Sequence, residues 1–418
     1  MFFRFRLLIQ DFYHDITTQK TRAFLTTFAV AWGTLSVILL LAFGKGLEHQ
    51  MINGQLNNGD KIIRLFGGNT SKVYQGLPKG RRVRLRAEDA ALLETSIPEI
   101  DFASPAYGHR LPVEYKDINT TTPYTVGANT SFDILRRMYP VAGGRFLSFT
   151  DMDERRRVAF LGFEIAQTLF GEEDPIGREI KIGGYPFVVV GTMPKKFQNS
   201  MSNGPDDQRI IIPHTTFHTI WPNRGLWFIA VKPKIASEHE IVKSRIGALL
   251  GRKYRFDAED DRAVSYWDSI ENEASMRKVF NAITYFLGTV GGMTLFIAGI
   301  GVANIMYVVV KERTHEIGVK RAIGAKRSHV ISQFILESIF LTAIGGTVGT
   351  VLAVLIIGGI NLLPLAENDS MAFIGSPTFS APIAMFTILF LVSIGLIAGI
   401  FPARRAAKVD PVEALRYE

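Results

Sequence analysis

Four long stretches of the chain carry no charged residue, and this pattern constrains the fold more than any other feature of the sequence. They cover residues 23–44, 279–310, 338–360 and 381–403. A helix of about 20 apolar residues is enough to cross a hydrocarbon layer about 30 Å thick. We therefore predict a membrane protein with four transmembrane α-helices, at 23–45, 279–310, 330–360 and 381–403. The second stretch is longer than one span needs, so its helix should tilt or project beyond the bilayer.

Residues 46–278 have, by contrast, the mixed composition of a globular domain. Short runs rich in β-branched and aromatic residues alternate with runs of helical periodicity. The predicted strands are 61–66 and 157–162, the predicted hairpin pairs 179–182 with 186–191, and the predicted helices are 163–170 and 236–250. We therefore expect a large extracytoplasmic α+β domain between the first and second membrane helices.

The distribution of charge predicts the orientation of the chain. Residues 46–278 hold 32 Lys and Arg against 29 Asp and Glu, whereas 1–22, 311–329 and 404–418 together hold 14 against 7. The loop 361–380 has no Lys or Arg. Because cytoplasmic loops are enriched in Lys and Arg, we expect both termini and 311–329 in the cytoplasm, and 46–278 and 361–380 outside. The net charge of +8 therefore requires no nucleic acid as a partner.

Residues 1–22 have the pattern of an amphipathic helix on the inner leaflet, because Phe5, Ile9, Phe12 and Ile16 recur at helical spacing. The alternative is that this segment only extends the first span. The apolar stretch is longer than the core of a signal peptide, and no small-x-small site follows it. We therefore expect an uncleaved membrane anchor.

No motif in the sequence supplies catalytic chemistry. The chain has no cysteine, which excludes disulfides and cysteine-based metal sites. It contains no G-x-x-x-x-G-K-[ST] phosphate loop, no G-x-S-x-G elbow and no H-E-x-x-H pair. His214 and His218 would share a helix face, but two imidazoles without a third ligand are a weak metal signal. We expect no catalytic residue, no metal and no bound cofactor in this chain.

The segment after the second span, 311–329, combines charge with glycine. Glu312, Glu316 and Lys320 are spaced for i,i+4 contacts on one helix. Gly318 and Gly324 bracket this charged segment, and glycine there would let the backbone turn sharply or approach another surface closely. Two interpretations remain open on these residues alone: a short helix that docks on a partner, and a solvated loop stabilised by its own ion pairs and by anionic lipid.

Three separated motifs resemble the MacB/FtsX-type permeases of ABC transporters. The segment 312–325 is similar to the family's coupling region, E-R-T-x-E-I-G-x-x-x-A-x-G-A, and Gln333, Phe334 and Glu337 match the Q-F-x-x-E pattern that follows it. The tail 401–417 resembles the family's C-terminal P-A-R-x-A-A…D-P…A-L-R signature. In the outer segment, residues 158–162, 169–171, 174–178 and 187–191 resemble the family's periplasmic core domain.

The resemblance implies a division of labour of the mechanotransmission (type VII) kind. A cytoplasmic ABC ATPase dimer, which binds the ATP and magnesium, would dock on the permease and move its membrane helices. These in turn would move the outer domain and drive efflux or extraction of a substrate from the periplasmic side. Because the phosphate loop is absent, the resemblance implies an ATPase on a separate chain. The implied coupling residues are Glu312, Arg313, Glu316, Ile317, Gly318, Arg321, Gly324 and Ala325.

The same resemblance implies a bacterial inner-membrane location and a second permease copy, identical or paralogous. A periplasmic adaptor and an outer-membrane channel are further implied partners, and membrane lipid surrounds the helices. One alternative is an FtsX-like regulator of an envelope enzyme that transports nothing, although the length of segment 46–278 favours the MacB-like interpretation. Another is a membrane-bound receptor or enzyme with its site in the outer domain.

Two further features of the spans are candidates for a role. Glu337, at the cytoplasmic edge of the third span, is a candidate intramembrane acid that would either snorkel to the membrane surface or pair with Lys326 or Arg327. Three G-x-x-x-G pairs would let helices approach closely, either in a dimer or within one chain. The pairs are Gly288 with Gly292, Gly345 with Gly349, and Gly395 with Gly399.

Overall fold

The computed structural model describes residues 20–116, 118–119, 122–198, 204–363 and 375–407. The chain divides into two compact units. The helical unit comprises the described residues up to Gln50 and from Lys278 onward, and the sheet unit is Met51–Arg277. Residues 1–19 of the predicted helix at 1–22, most of the predicted tail at 404–418 and the middle of the loop 361–380 lie outside the described residues.

The described helices are α1 (Lys20–Leu56), α2 (Ala87–Ser96), α3 (Phe132–Arg136), α4 (Phe149–Asp153), α5 (Phe163–Phe170), α6 (His214–Ile220), α7 (His239–Tyr254), α8 (Ser269–Glu312), α9 (Thr314–Ala322), α10 (Arg327–Asn361) and α11 (Ala381–Ala406). The strands are β1 (Ile63–Gly67), β2 (Ile100–Arg110), β3 (Val113–Tyr115), β4 (Ile118–Asn119), β5 (Tyr124–Ala128), β6 (Val158–Leu161), β7 (Glu179–Ile182), β8 (Tyr185–Thr192), β9 (Arg209–Pro213), β10 (Leu226–Pro233) and β11 (Val264–Asp268).

The four predicted membrane helices are confirmed, because α1, α8, α10 and α11 are each long and apolar enough to cross a membrane. Two of them extend well beyond the bounds predicted for the membrane helices. Helix α1 continues to Leu56, well past the predicted end at residue 45, and α8 begins at Ser269 rather than at residue 279. With 44 residues, α8 is about 66 Å long, which exceeds the thickness of one bilayer core.

Helices α1 and α10 approach closely at two glycines. A Cβ atom at Gly345 would lie 2.8 Å from Val30 Cβ. A Cβ atom at Gly349 would overlap the carbonyl oxygen of Ala31 and lie 2.7 Å from Thr34 Cβ. Small residues let backbones of membrane helices come this close, and dispersion contacts then hold the pair together. The chain therefore uses this pair for packing within one copy.

Helices α10 and α11 meet in the same way. A Cβ atom at Gly395 would overlap Thr342 Oγ1, and one at Gly399 would overlap Ser338 Oγ. Ser338 Oγ lies 2.9 Å from the carbonyl oxygen of Gly395, so a hydroxyl of one helix donates to the backbone of the other. This polar contact is buried and links the two helices, in the way that serine hydroxyls link membrane helices to one another.

The pair on α8 behaves differently. No heavy atom of the described chain lies within 4 Å of a Cβ atom built at Gly288, and Gly292 meets only Phe390 Cζ, at 3.9 Å. The close contact of α8 falls at Gly291, whose Cβ would lie 3.0 Å from Val37 Cγ1. Gly288 and Gly292 therefore have room for another chain, and their role in a dimer stays a prediction.

The sheet unit is built on one mixed sheet of eleven strands within the described residues. Its strand order is β11-β1-β10-β2-β5-β9-β6-β8-β7-β3-β4. The pairs β5–β9 and β6–β8 are parallel, and the other pairs are antiparallel. The large α+β domain after the first membrane helix is therefore confirmed.

Both faces of the sheet are buried, because neighbouring residues of a strand point to opposite faces. On β10, Ile229 packs in a core with α2 and α7, whereas Phe228 packs in a core on the other face. On β9, Ile210 and Ile212 face one core and Ile211 faces the other. This burial explains the runs of consecutive apolar residues in these strands.

The local predictions in this unit hold to within a few residues. The predicted hairpin forms across Gly183 and Gly184, both of which have positive φ. The strand expected at 61–66 runs from Ile63 to Gly67, and helix α5 covers the predicted residues 163–170. The helix predicted at 236–250 starts as a 3-10 turn and continues to Tyr254.

A buried cluster of charges lies inside the sheet unit. Arg136 forms an ion pair with Asp206, and the side chains are 1% and 0% exposed. Lys196 Nζ lies 2.8 Å from Asp206 Oδ2, and Arg209 Nε lies 3.4 Å from Asp206 Oδ1. Burial alone would raise the pKa of Asp206, but Arg136, then Lys196 and Arg209, outweigh it and hold the pKa well below its usual range.

The neighbouring carboxylate has the opposite environment. Burial raises the pKa of Asp207 to about 6, although the backbone N–H of Lys196 donates to Asp207 Oδ2 at 3.3 Å. Arg64 adds a further buried cation, whose guanidinium lies 4.4 Å from the ring centroid of Trp267. The cluster therefore holds its cations by ion pairing and by aromatic faces together.

Candidate functional site

The segment after α8 is organised around a break at Arg313. Helix α8 ends at Glu312, α9 begins at Thr314, and Arg313 between them has φ −93° and ψ 14°. The hydroxyl of Thr314 lies 2.8 Å from the carbonyl oxygen of Lys311, to which it donates. A carbonyl at the end of a helix lacks an intrahelical donor, so this bond stabilises the point where the chain changes direction.

The break corrects the predicted ladder of charges. Glu312, Glu316 and Lys320 were expected on one helix, but Glu312 belongs to α8 and the other two belong to α9. The i,i+4 argument therefore applies only to Glu316 and Lys320. The reason is that a threonine hydroxyl competes for backbone carbonyls, which the spacing of charges does not reveal.

Helix α9 ends in a Schellman motif. The N–H of Ala325 donates to the carbonyl of Lys320 (3.0 Å), and the N–H of Gly324 donates to that of Arg321 (3.1 Å). Gly324 has φ +102°, which a residue with a side chain rarely adopts. The predicted turn at Gly324 is therefore confirmed, and Ala325 completes the same cap.

The inner face of α9 is apolar and packed. Ile317 is 4% exposed and lies in one core with Met306, Val330 and Phe334, which belong to α8 and α10. Gly318 is buried beside it in the middle of α9. Of the two predicted roles of Gly318, the turn is therefore wrong, and its buried position within the helix agrees with the other role, close approach to another surface.

The outer face of α9 is exposed. It carries Glu316 and Lys320 together with two apolar side chains, Val319 at 39% and Ile323 at 81% exposed. Ile323 is absent from the sequence prediction, and the signal that would identify it is an isoleucine beside a glycine cap on a charged helix. Exposed apolar side chains surrounded by charge are typical of a protein-binding surface.

Two contacts connect this short helix region to the other membrane helices. Arg313 Nη1 lies 3.9 Å from Glu337 Oε2 of α10, and both side chains are about nine-tenths buried. Glu337 therefore pairs with Arg313, a partner that the sequence prediction did not name. Because an acid at that depth needs a counter-charge, the pair links the break before α9 to α10.

The second contact involves Arg321. Its Nη1 donates to the carbonyl oxygen of Ala407 at 3.0 Å, directly after the last turn of α11. The guanidinium of Arg405 also lies 4.9 Å from the ring centroid of Tyr307 on α8. The α9 region is thus joined by polar contacts to α10 and to the end of α11.

One group among the described residues has the spacing of a metal site: His239, Glu240 and Asp268. Lys243 Nζ lies 2.6 Å from Glu240 and 3.2 Å from Asp268, so an ammonium group already contacts two of the three. We therefore interpret the group as an ion-pair network. His218, which the sequence analysis named with His214 as a weak metal signal, stacks its imidazole on the ring of Tyr107.

Comparison with known families decides what this arrangement belongs to. The model of the MacB-like periplasmic core domain matches residues 23–249, and that of the FtsX-like permease C-terminal region matches residues 288–411. The chain is a MacB/FtsX-type ABC permease. The segment 311–329 therefore lies inside the region that defines the FtsX-like permeases.

Two relatives are similar to this chain over nearly its whole length. The chain is 33% identical over 398 residues to the pyoverdine export ATP-binding/permease protein PvdT of Pseudomonas aeruginosa, covering 95% of this chain and 56% of that protein. It is 30% identical over 411 residues to the macrolide export ATP-binding/permease protein MacB of Bdellovibrio bacteriovorus, covering 97% and 61%. The chain thus spans less than two thirds of the length of these relatives.

A solved structure is also similar: the periplasmic region of MacB from Actinobacillus actinomycetemcomitans. It covers 53% of this chain and 95% of its own, at 16% identity and a TM-score of 0.42.

Proposed function

We propose that this permease couples the ATP hydrolysis of an ABC ATPase to movement of its sheet unit, and so drives the export of a substrate from the periplasmic side. The observation that carries the proposal is the construction of α9. Its inner face is packed among membrane helices, while its outer face presents Glu316, Lys320 and Ile323. Such a helix can receive a partner on one side and transmit its motion on the other.

The proposed path of transmission follows the described contacts. A force on α9 acts through Ile317 on the core shared with α8 and α10. It acts through the Arg313–Glu337 pair on α10, and through Arg321 on the end of α11. Packed cores transmit displacement because they resist compression. All three helices that follow the sheet unit in the chain would therefore respond to the same partner.

The proposed coupling needs ATPase chemistry, and the 418 residues contain no G-x-x-x-x-G-K-[ST] loop that would supply it. The predicted partner is an ABC ATPase dimer on a separate chain that acts on two permease copies. The names of the relatives refer to export of macrolides and pyoverdine, which supports export as the direction of transport. A periplasmic adaptor and an outer-membrane channel would complete the path in a bacterium with an outer membrane.

The proposed orientation places α9 in the cytoplasm and the sheet unit outside, as the Lys and Arg distribution predicts. Because the chain has no cysteine, single substitutions give unambiguous labels. In intact cells, a membrane-impermeant maleimide should label Lys79→Cys and should label Ala322→Cys only after lysis. Labelling of Ala322→Cys in intact cells would reverse the orientation.

Copurification tests the proposal. The tagged full-length protein is solubilised from its native membranes, and bound proteins are identified by mass spectrometry for wild type, Glu316→Arg and an exposed control, Glu172→Arg. We expect an ABC ATPase with wild type and with the control, and its loss with Glu316→Arg, because the reversed charge lies on the proposed docking face. Absence of any ATPase from the wild-type sample would overturn the proposal.

A further inference from the structure

A cavity of about 320 Å³ opens in the sheet unit where strands β1 and β10 separate. β1 pairs with β10 only from Ile63 to Leu65, whereas its pairing with β11 continues to Gly67. The gap beyond Leu65 is lined by two segments of the chain. One is residues 82–85, and the other comprises residues 223 and 225–228. Its volume is in the range of small-molecule sites, about 300–1,000 Å³.

Two arginines give the cavity an uncompensated charge. Arg82 and Arg84 are both exposed, and among the described residues neither side chain forms an ion pair or a hydrogen bond. The adjacent Arg81 differs, because its guanidinium bonds the carbonyl oxygens of Pro78 and Tyr254. No carboxylate lines the cavity, so the two free guanidinium groups have no acid to neutralise them there.

The remaining lining combines Asn223 and two glycines with five apolar residues, one of which, Trp227, lies at a β-bulge. The pairing of β10 with β2 shifts register between Leu226 and Phe228, so Trp227 is the extra residue. Bulges change the direction of a side chain and recur beside binding sites. The indole of Trp227 is held by edge contacts to Tyr124 and Phe228, with ring centroids at 5.0 and 4.6 Å. Its position in the cavity is therefore fixed before any ligand arrives.

We propose that this cavity binds a small amphipathic anion: a single acidic group, carboxylate, sulfonate or phosphate, on an aromatic or acyl body. Guanidinium forks bind such groups with two parallel hydrogen bonds. The apolar body lies against Leu226 and Trp227, and the amide of Asn223 adds a polar contact at the lining. That such an anion is the cargo rests on the proposed export function, whereas its binding in this cavity does not.

The test measures binding without ATP. Full-length protein in lipid nanodiscs is titrated with 2-naphthalenesulfonate by calorimetry, and naphthalene-2-sulfonamide serves as the neutral probe of the same shape. We expect the sulfonate to bind at least about tenfold more tightly than the sulfonamide, because charge-assisted bonds are the stronger ones. The variant Arg82→Gln/Arg84→Gln should weaken sulfonate binding at least about tenfold.

Two controls make the outcome decisive. Arg252→Gln removes another exposed arginine of the sheet unit that does not line the cavity, and it should leave binding unchanged. Thermal unfolding of the double variant should match wild type, since neither side chain forms a hydrogen bond or an ion pair among the described residues. Equal binding of both probes, no binding to wild type, or unchanged binding in the double variant overturns the proposal. Because no ATPase is present, these results are independent of the copurification experiment.

Discussion

The helical unit and the sheet unit are each stabilised internally by a different kind of interaction. In the helical unit, helices approach at Gly349, Gly395 and Gly399, and an interhelical hydrogen bond comes from a serine hydroxyl. In the sheet unit, an aspartate that is 0% exposed is surrounded by cations. Lipid is as apolar as the side chains of membrane helices, so the stability of the helical unit depends on how closely the helices pack against one another. In a water-soluble domain, a buried charge persists only when it is paired.

The largest effect should come from unpairing the charge cluster. Asp206→Asn leaves Arg136, Lys196 and Arg209 buried without their shared counter-charge, and breaking a buried pair costs about 3–5 kcal/mol. We expect a large drop in the melting temperature of the full chain in detergent. A drop of a few tenths of a degree would mean that the cluster is solvated and that the comparison between the units fails.

The next effect concerns helix fit. Gly349→Ala places a methyl group against the backbone of α1, and overpacking costs about 1–3 kcal/mol. Gly358→Ala, in the same helix but with nothing within 4 Å, is the matched control and should be neutral or slightly stabilising. Equal melting temperatures for the two variants would remove the proposed close contact of α1 with α10.

A third prediction uses pH to examine the cluster. The pKa of Asp207 is raised to about 6 in the folded chain, above its unfolded value of about 3.9, so the folded state binds the proton more tightly. Stability from this group is therefore complete below about pH 4 and is lost as the pH rises through about 6. Asp207→Asn should consequently stabilise the chain by about 2 kcal/mol more at pH 7.5 than at pH 4.5. Thermal unfolding at both pH values measures this, and an equal gain at both contradicts it.

The smallest effect should come from the ion pair at the edge of the helical unit. Arg313 and Glu337 are 3.9 Å apart, so a double-mutant cycle with Arg313→Gln and Glu337→Gln should give a coupling energy of about 1 kcal/mol. Thermal unfolding of the four proteins provides the cycle. A coupling energy of about 3–5 kcal/mol, as large as the expected cost of Asp206→Asn, would show that charge stabilises both units alike.

The elements that can be predicted from the sequence are those that depend on a pattern of neighbouring residues. Uncharged stretches predict the four membrane helices, and Gly183-Gly184 between alternating residues predicts the hairpin, because both signals come from neighbouring residues. The glycine cap of α9 is predictable for the same reason. The break at Arg313 is not predictable in this way. The spacing of Glu312, Glu316 and Lys320 favours one continuous helix, whereas the hydroxyl of Thr314 favours an end of the helix.

Features that depend on distant residues are not predictable in this way. Arg136 and Asp206 are 70 positions apart, and either side chain alone looks like an exposed charge in the sequence. The cavity at β1 and β10 requires the strand order, which a single sequence does not specify. The sequence named Lys326 and Arg327 as candidate partners of Glu337, but it did not indicate Arg313, which the packing of the helices brings to it.

The most direct test of the central claim measures whether ATP moves the sheet unit through α9. Because the chain has no cysteine, Lys79→Cys gives one spin label on each permease copy in the purified complex with its ATPase. Double electron–electron resonance then measures the distance between the two labels. We expect the distance distribution to shift between the nucleotide-free and the vanadate-trapped states, and the shift to disappear with Glu316→Arg. An identical distribution in both states of the wild-type complex would contradict the coupling of ATP hydrolysis to the sheet unit.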